Sequence, residues 1–466
     1  MLVPEYLAPP NQSDSTRVLI LGECSLAVSL ANAFESLGAF VTMLGKHNGI
    51  DDPKVLQEIV ARFNPTYIVP ASDDISIDAL QQLHAHSDVE IVPSSKFIEQ
   101  AYDRERIYRV ARYDLGLPTP RFRCASSAEE AAEQAIELGF PCIARAVENT
   151  GEGHSFMVNN AGGAESAWEK LATNRIILER VVEYDYAMTI VVVRSIDPET
   201  SKLATWFCQP IGKVLENDQL VGAFQPLVLE RGALDNAHSV AARITNAIGG
   251  RGIFSVDLFV AGEDVYFSGL SAHPKQAGAV TDVSQRIGHA MLHARAVLGL
   301  PIDVTLTSPG AVRVSQAADT HVSQQAVAQA LTVPEAGIRF TRGGLIYITA
   351  TADTATEAYQ RAVAAQTLLG LDAQAEDAAL GTPAPAIVPP ASPEAASPDP
   401  ATPDPISAAG LGNPENAEAD ARAQAHVADA NLVDAPIADT PAQDFATANA
   451  EPDPTTASNS LATEQH

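Results

Sequence analysis

The sequence lacks the long apolar runs and the cysteine pairs that identify several classes of protein. No segment approaches about 18 consecutive apolar residues, so we expect no membrane-spanning helix. Residues 1–16 contain neither a basic region nor an apolar core, which predicts that they are not a signal peptide. The four cysteines are far apart and form no CxxC pair. This favours reduced thiols in a cytoplasmic protein over a disulfide framework.

Basic residues are also scarce. The chain has 29 Lys and Arg against 58 Asp and Glu, with a formal net charge of −29. Because a nucleic-acid-binding surface needs clustered positive charge, we expect no nucleic-acid partner. Residues 373–466 hold 15 acidic residues, one arginine, 14 prolines and one aromatic residue. Such a segment cannot bury enough apolar surface to fold, so its composition predicts a disordered acidic tail over 373–466.

A predicted hairpin is the most informative stretch of the chain. Residues 252–260 and 265–271 are rich in β-branched, aromatic and aliphatic side chains, and Gly-Glu-Asp at 262–264 predicts the turn between them. One carboxylate, Asp257, interrupts the first strand. A charge in an apolar strand is costly to bury unless it is paired or binds a cation. Asp257 is therefore either a metal ligand or a solvated residue on an edge strand.

The predicted elements divide the first 372 residues into three units. Residues 1–118 alternate strands and helices, which predicts an open parallel α/β sheet whose ligand end carries Glu23 and Asp73. No GxGxxG follows the first strand, so a Rossmann-type dinucleotide site is not expected. Residues 119–305 read as an α+β unit with antiparallel strands, and residues 306–372 as a small α/β unit.

This order of elements resembles the ATP-grasp superfamily and, within it, the formate-dependent phosphoribosylglycinamide formyltransferases of purine synthesis. The resemblance runs from about residue 10 to 372 and is carried by segments such as 17–22, 139–143, 207–212, 249–254 and 297–301. It implies an ATP-grasp fold, ATP and Mg²⁺ as cofactors, and a homodimer. It also implies a reaction in which ATP phosphorylates formate and the formyl group passes to the amine of glycinamide ribonucleotide.

The resemblance further implies which residues hold each ligand, although it assigns no catalytic residue. Glu23 and Asp73 match carboxylates that contact the amine end of the substrate, Arg342 is the candidate for its ribose phosphate, and Asp257 aligns with one of two Mg²⁺ ligands. The positions that match nucleotide contacts are Arg104, Arg145, Thr150, Gly151, Gly153, Glu179 and Val182.

The sequence departs from the family pattern at four of its expected ligand positions. Gly269 stands in place of the second Mg²⁺ ligand, Ala187 in place of a ribose-binding glutamate, Glu152 in place of a cation near the phosphates, and Gln276 in place of an aspartate. These departures favour a degenerate member that is weakly active or inactive and is retained as a binding or regulatory module. Two alternatives stay open: an active transformylase, and a diverged ATP-dependent carboxylate–amine ligase with another substrate.

Overall fold

A four-stranded parallel sheet forms from the first part of the chain. The computed structural model of the protein describes residues 15–72, 75–87, 89–148, 155–216, 218–316 and 321–371. The sheet has the order β2-β1-β3-β4, as the strand–helix alternation predicts. Its elements are β1 (Arg17–Leu21), α1 (Ser25–Ser36), β2 (Phe40–Leu44), α2 (Pro53–Phe63), β3 (Tyr67–Pro70), α3 (Ile77–His86) and β4 (Glu90–Ile91), with a 3₁₀ turn at Lys46–Asn48.

Capping side chains fix where α2 and α3 begin. Asp52 accepts hydrogen bonds from the backbone N–H groups of Lys54 and Val55, and the Ser76 side chain accepts one from Ala79. Each cap satisfies backbone donors that have no partner within the helix. The connecting helices that follow are α4 (Ser95–Tyr102) and α5 (Arg104–Arg109), which continues into a π-helical turn at Val110–Asp114.

A second, antiparallel sheet of four strands follows, with the order β5-β8-β6-β7. Two helices pack on it through small buried alanines such as Ala135 and Ala164. The elements are β5 (Phe122–Ala125), α6 (Ala128–Leu138), β6 (Cys142–Ala146), β7 (Ser155–Val158), α7 (Ala161–Leu171) and β8 (Ile176–Arg180).

The largest sheet has nine strands and contains the predicted hairpin. Its order is β14-β13-β9-β11-β12-β15-β17-β16, and β10 pairs with β9. The strands are β9 (Tyr186–Ile196), β10 (Leu203–Phe207), β11 (Ile211–Glu216), β12 (Gln219–Gln225), β13 (Gly252–Ala261), β14 (Asp264–Ser271), β15 (Gly310–Gln316), β16 (Ala336–Phe340) and β17 (Leu345–Thr351). The helices between them are α8 (Arg231–Ile248), α9 (Thr281–Ser284), α10 (His289–Leu298), α11 (Gln324–Ala330) and α12 (Ala355–Leu368), with a 3₁₀ helix at Gln276–Val280.

The large sheet continues across the predicted boundary at residues 305 and 306, because β15 hydrogen-bonds with β12. One hydrophobic cluster joins the hairpin to the preceding helices, and in it Phe97 of α4 stacks on Phe254 of β13 with ring centroids 4.1 Å apart. In the part of the chain that the structure describes, no helix is long and apolar enough to cross a membrane. The predicted tail over 373–466 lies outside the described residues.

Candidate functional site

Asp257 lies in the interior of the large sheet. β13 has β9 on one side and β14 on the other, so the expectation of a solvated edge-strand carboxylate is wrong. Thr189 of β9 and Gly269 of β14 stand directly opposite Asp257 on its two neighbours. The Thr189 hydroxyl donates a hydrogen bond of 2.5 Å to Asp257 Oδ1. An interior carboxylate of this kind needs a cation or further donors.

A β-bulge occurs at this point of the hairpin. The register shifts between Asp257 and Leu258, which leaves Ser268 as the extra residue on β14. Its carbonyl oxygen accepts a hydrogen bond of 3.0 Å from the hydroxyl of Tyr108, a buried residue of α5. Bulges bend a strand and redirect its side chains, and they are frequent beside active sites. The bulge thus lies directly opposite Asp257, and the hydroxyl of Tyr108 satisfies the carbonyl of the extra residue Ser268.

Lys213 of β11 supplies the cation that Asp257 requires. Its Nζ lies 3.2 Å from Asp257 Oδ1, and both side chains are mostly buried. Burial opposes ionisation of Asp257, but the Lys213 ammonium and the Thr189 hydroxyl lower the pKa of the carboxyl below its ordinary value, with Lys275 contributing. Sequence reasoning missed Lys213, although a lysine in a mostly apolar strand is the same kind of signal that drew attention to Asp257.

Gly269 contributes no ligand to this group. A Cβ atom placed there would have the side chain of Asp257 as its nearest neighbour, at 3.8 Å from both Cβ and Oδ2, with no closer contact. A longer side chain at this position would therefore approach Asp257. Among the residues that the structure describes, no group of three or more His, Cys, Asp or Glu side chains could hold a metal ion.

A second charged group lies where the small antiparallel sheet faces the large one. The Arg145 guanidinium of β6 forms ion pairs with Glu179 of β8 and with Asp218 in the turn between β11 and β12. Glu179 is 3% exposed, and its other oxygen, Oε1, has no hydrogen-bond partner among the described atoms. A buried carboxylate oxygen without a donor among the described residues is costly, so this oxygen could accept a hydrogen bond from a ligand.

Electrostatics tie these groups together. Burial opposes the charge on Arg145, but the Glu179 and Asp218 carboxylates raise the pKa of its guanidinium. Burial, followed by the Arg145 charge, lowers the pKa of Arg104, so the two predicted nucleotide contacts lie close together. Burial would raise the pKa of Asp218, but the positive charges of Arg145 and Lys213 lower it below its ordinary value. Asp218 thus links the Arg145 group to the Lys213–Asp257 pair.

Three other predicted site residues are described by the structure. Glu23, at the ligand end of the parallel sheet, is exposed, and its Oε2 atom lies 3.1 Å from His47 Nδ1. A Cβ atom added to Gly45 would clash with Glu23 Oε2, at a distance of only 2.0 Å. Arg342 is exposed in the turn between β16 and β17, and Val182 follows β8. The remaining predicted residues, Asp73, Thr150, Gly151 and Gly153, together with Glu152, lie outside the described residues.

A small cavity joins the parallel sheet to the hairpin. Its lining includes Pro70 and Ser72 after β3, Ile98 of α4, and Ser271 and His273 at the end of β14. It therefore lies between the segment that precedes Asp73 and the segment that follows Gly269. The structure brings the two predicted regions together at this point.

Comparisons with known proteins agree on the fold and the family. The ATP-grasp domain family matches residues 111–289. The formate-dependent phosphoribosylglycinamide formyltransferase of Corynebacterium efficiens is 38% identical over 395 residues, which cover 78% of this chain and 98% of the relative. The enzyme of the same name from Burkholderia thailandensis is 33% identical over 398 residues, which cover 78% of this chain and 98% of that relative.

Solved structures give the same result. The structure of glycinamide-RNase-transformylase T from Mycobacterium tuberculosis is similar with a TM-score of 0.65 and 32% identity, and the match covers 76% of this chain and 99% of that one. A carboxyaminoimidazole ribonucleotide synthase from Aspergillus clavatus, complexed with ATP, has a TM-score of 0.67 at 20% identity, covering 76% and 98% of the two chains. At that identity the second likeness concerns the fold alone.

Proposed function

The chain belongs to the family of formate-dependent phosphoribosylglycinamide formyltransferases and has the ATP-grasp fold, and from this premise we propose that it is a nucleotide-binding member whose formyl transfer is weak or absent. A small-molecule substrate similar to glycinamide ribonucleotide, and homodimer formation, belong to the proposal by analogy with the family.

One observation supports reduced activity most strongly. The position aligned with an Mg²⁺ ligand, Asp257, already forms an ion pair with Lys213 at 3.2 Å, and Gly269 opposite it has no side chain. Phosphoryl transfer from ATP depends on a metal ion that neutralises charge between the phosphates, a contribution of several kcal/mol. Since about 1.4 kcal/mol changes a rate tenfold, loss of about 3 kcal/mol would lower turnover more than about 100-fold.

The nucleotide side of the cleft supports the binding half of the proposal. Arg104, Arg145 and Glu179 lie together between the two sheets, and the family resemblance gives all three to the nucleotide. Arginines in a partly buried cleft are suited to phosphate, and a buried carboxylate oxygen without a donor is suited to an amino group. Neither interaction requires the Asp257 position.

An active transformylase is the second candidate, favoured by the 38% identity that extends over 98% of the Corynebacterium efficiens relative. ADP release by the full chain with Mg²⁺-ATP, formate and glycinamide ribonucleotide separates the two. The Corynebacterium efficiens protein, assayed at the same concentration, is the control. We expect the full chain to be slower by about 100-fold or more.

Turnover within tenfold of the control would contradict the proposal. ADP release that requires ATP and an amine but not formate would instead favour the carboxylate–amine ligase alternative. Nucleotide binding is measured separately by thermal shift, because a ligand at about 100 times its dissociation constant adds about 2.7 kcal/mol to the free energy of unfolding. No shift with ATP under any metal condition would contradict the binding half.

A further inference from the structure

The charged side chains of the cleft alternate in sign along a row. Arg145 forms ion pairs with Glu179 and Asp218, and Lys213 forms one with Asp257. The positive charge of Lys213 also acts on Asp218, and that of Lys275 acts on Asp257. Adding Arg104, which lies near Arg145, gives four cations against three carboxylates. Counted over the side chains that the structure describes, the row therefore carries one surplus positive charge before any ligand or metal enters, and such a surplus favours an anionic ligand.

The Lys213–Asp257 pair differs from an open metal site in a specific way. Mg²⁺ requires oxygen ligands in near-octahedral arrangement at about 2.0–2.1 Å. Asp257 offers one carboxylate, whose Oδ1 already receives the Thr189 hydroxyl and the Lys213 ammonium. A divalent ion on this oxygen would lie beside the ammonium and repel it. The residues present therefore do not fit an Mg²⁺ ion while Lys213 stays in its place.

We propose that the Lys213 ammonium replaces the divalent cation at Asp257, so that the cleft binds the polyphosphate of a nucleotide without a metal ion. Lys213, Lys275 and Arg145 would neutralise the phosphate oxygens directly, because ammonium and guanidinium groups are good hydrogen-bond donors for phosphate. Asp257 would hold Lys213 in position rather than contact the ligand. This inference rests on the proposed function for the presence of nucleotide, and it adds the absence of a metal requirement.

Calorimetric titration of the full chain with ATP in excess EDTA is the direct test. We expect binding in EDTA, with an affinity at least equal to that in millimolar Mg²⁺, since Mg²⁺ would cover phosphate charges that the lysines engage. Lys213→Met should weaken binding in EDTA by about 10- to 100-fold, the usual effect of losing a hydrogen bond to a charged group. Lys213→Arg, which keeps the charge, should weaken it by less than about tenfold.

Controls separate charge from folding. Lys202→Met removes an exposed lysine before β10, and we expect unchanged affinity. Lys213→Met alone leaves Asp257 without its ammonium, which threatens folding. The double variant Lys213→Met with Asp257→Asn keeps the net charge and leaves no lone carboxylate, and it too should bind ATP more weakly in EDTA, with thermal unfolding as the check that it is folded.

Binding of ATP only with Mg²⁺, no binding at all, or unchanged affinity of the folded double variant in EDTA would each overturn the inference. Its outcome is separable from that of the proposed function. Rapid formyl transfer with Mg²⁺ together with tight binding in EDTA would refute weak activity and leave the metal-free site standing. No turnover together with strictly Mg²⁺-dependent binding would support weak activity and refute the metal-free site.

Discussion

Replacing Gly269 with glutamate tests whether Lys213 and a metal ion compete for the same carboxylate. The backbone of Gly269 is not left-handed, and a Cβ there meets only Asp257, at 3.8 Å, so the side chain has room. The introduced carboxylate, at about 5 Å from that of Asp257, would repel it by about 3 kcal/mol at an effective dielectric constant of ~20. In Gly269→Glu alone, Lys213 offsets this repulsion, and we expect Mg²⁺ to change the melting temperature little.

Removing the lysine as well should create a metal site. In Gly269→Glu with Lys213→Met, two carboxylates face each other with only Lys275, of the described cations, left to lower their repulsion, so the free energy of unfolding should fall by up to about 3 kcal/mol in EDTA. Millimolar Mg²⁺ should restore it and raise the melting temperature by about 4 °C. The control is Lys213→Met with Gly269 retained, which offers one carboxylate and should gain little from Mg²⁺.

Differential scanning calorimetry of the four proteins, with EDTA and with Mg²⁺, gives the answer directly. The reasoning is refuted if Mg²⁺ stabilises the unaltered chain as much as the double variant, because Lys213 would then not exclude the ion. It is also refuted if the double variant is as stable in EDTA as the chain with Gly269→Glu alone. Lys213 would then not offset the repulsion between the two carboxylates.

Three further variants probe the neighbouring charges. Asp218→Asn removes a carboxylate that competes with phosphate for Arg145, and calorimetry should show ATP binding about tenfold tighter; weaker binding would contradict this. Burial lowers the pKa of His293 to about 3 from an ordinary 6.5, so its contribution to stability is complete above about pH 6.5 and falls toward pH 3 by up to ~1.4 kcal/mol per unit. Urea unfolding of His293→Gln should therefore depend less on pH. Arg175, with help from Arg109, lowers the pKa of Glu105 to about 2. Its ion pairs stabilise the fold above the unfolded pKa near 4.5 and are lost toward pH 2, so Glu105→Gln should cost about 1–3 kcal/mol at neutral pH in urea unfolding, and less at acid pH.

The sequence was sufficient to predict the parallel sheet and the hairpin, and it drew attention to Asp257 as an unusual carboxylate in an apolar strand. Alternation of apolar strands and helices predicts a parallel sheet because a parallel connection needs a crossover, and a carboxylate in an apolar strand conflicts with burial. The sequence was not sufficient to predict which residue pairs with Asp257. Lys213 precedes Asp257 by a long stretch of chain, and only the strand order β13-β9-β11 and the register of each pair bring the two side chains within 3.2 Å.

Asp218 was missed for a different reason. It lies in the turn between β11 and β12 with a positive φ of 65°, a conformation in which aspartate is enriched for local reasons, so its sequence context predicts only a turn. Its ion pair with Arg145 depends on the small antiparallel sheet lying over that turn. Side chains whose role comes from contact between sheets leave no periodic signal in the sequence.

The effect of the residue at position 269 depends on the residue at position 213, because both determine how the charge of Asp257 is balanced. Asp257 lies on an interior strand of the sheet and accepts a hydrogen bond from Thr189, so its charge needs a cation nearby. A glutamate at 269 with Lys213 absent would make that cation exchangeable, because two carboxylates without an internal partner recruit an ion from solution. Glycine at 269 with Lys213 present makes it permanent, because one carboxylate and one ammonium already balance. If Lys213 replaces the metal ion as proposed, two residues on strands that are not neighbours in the sheet set the metal requirement of the cleft, and changing either one alone leaves a charge without its counterpart.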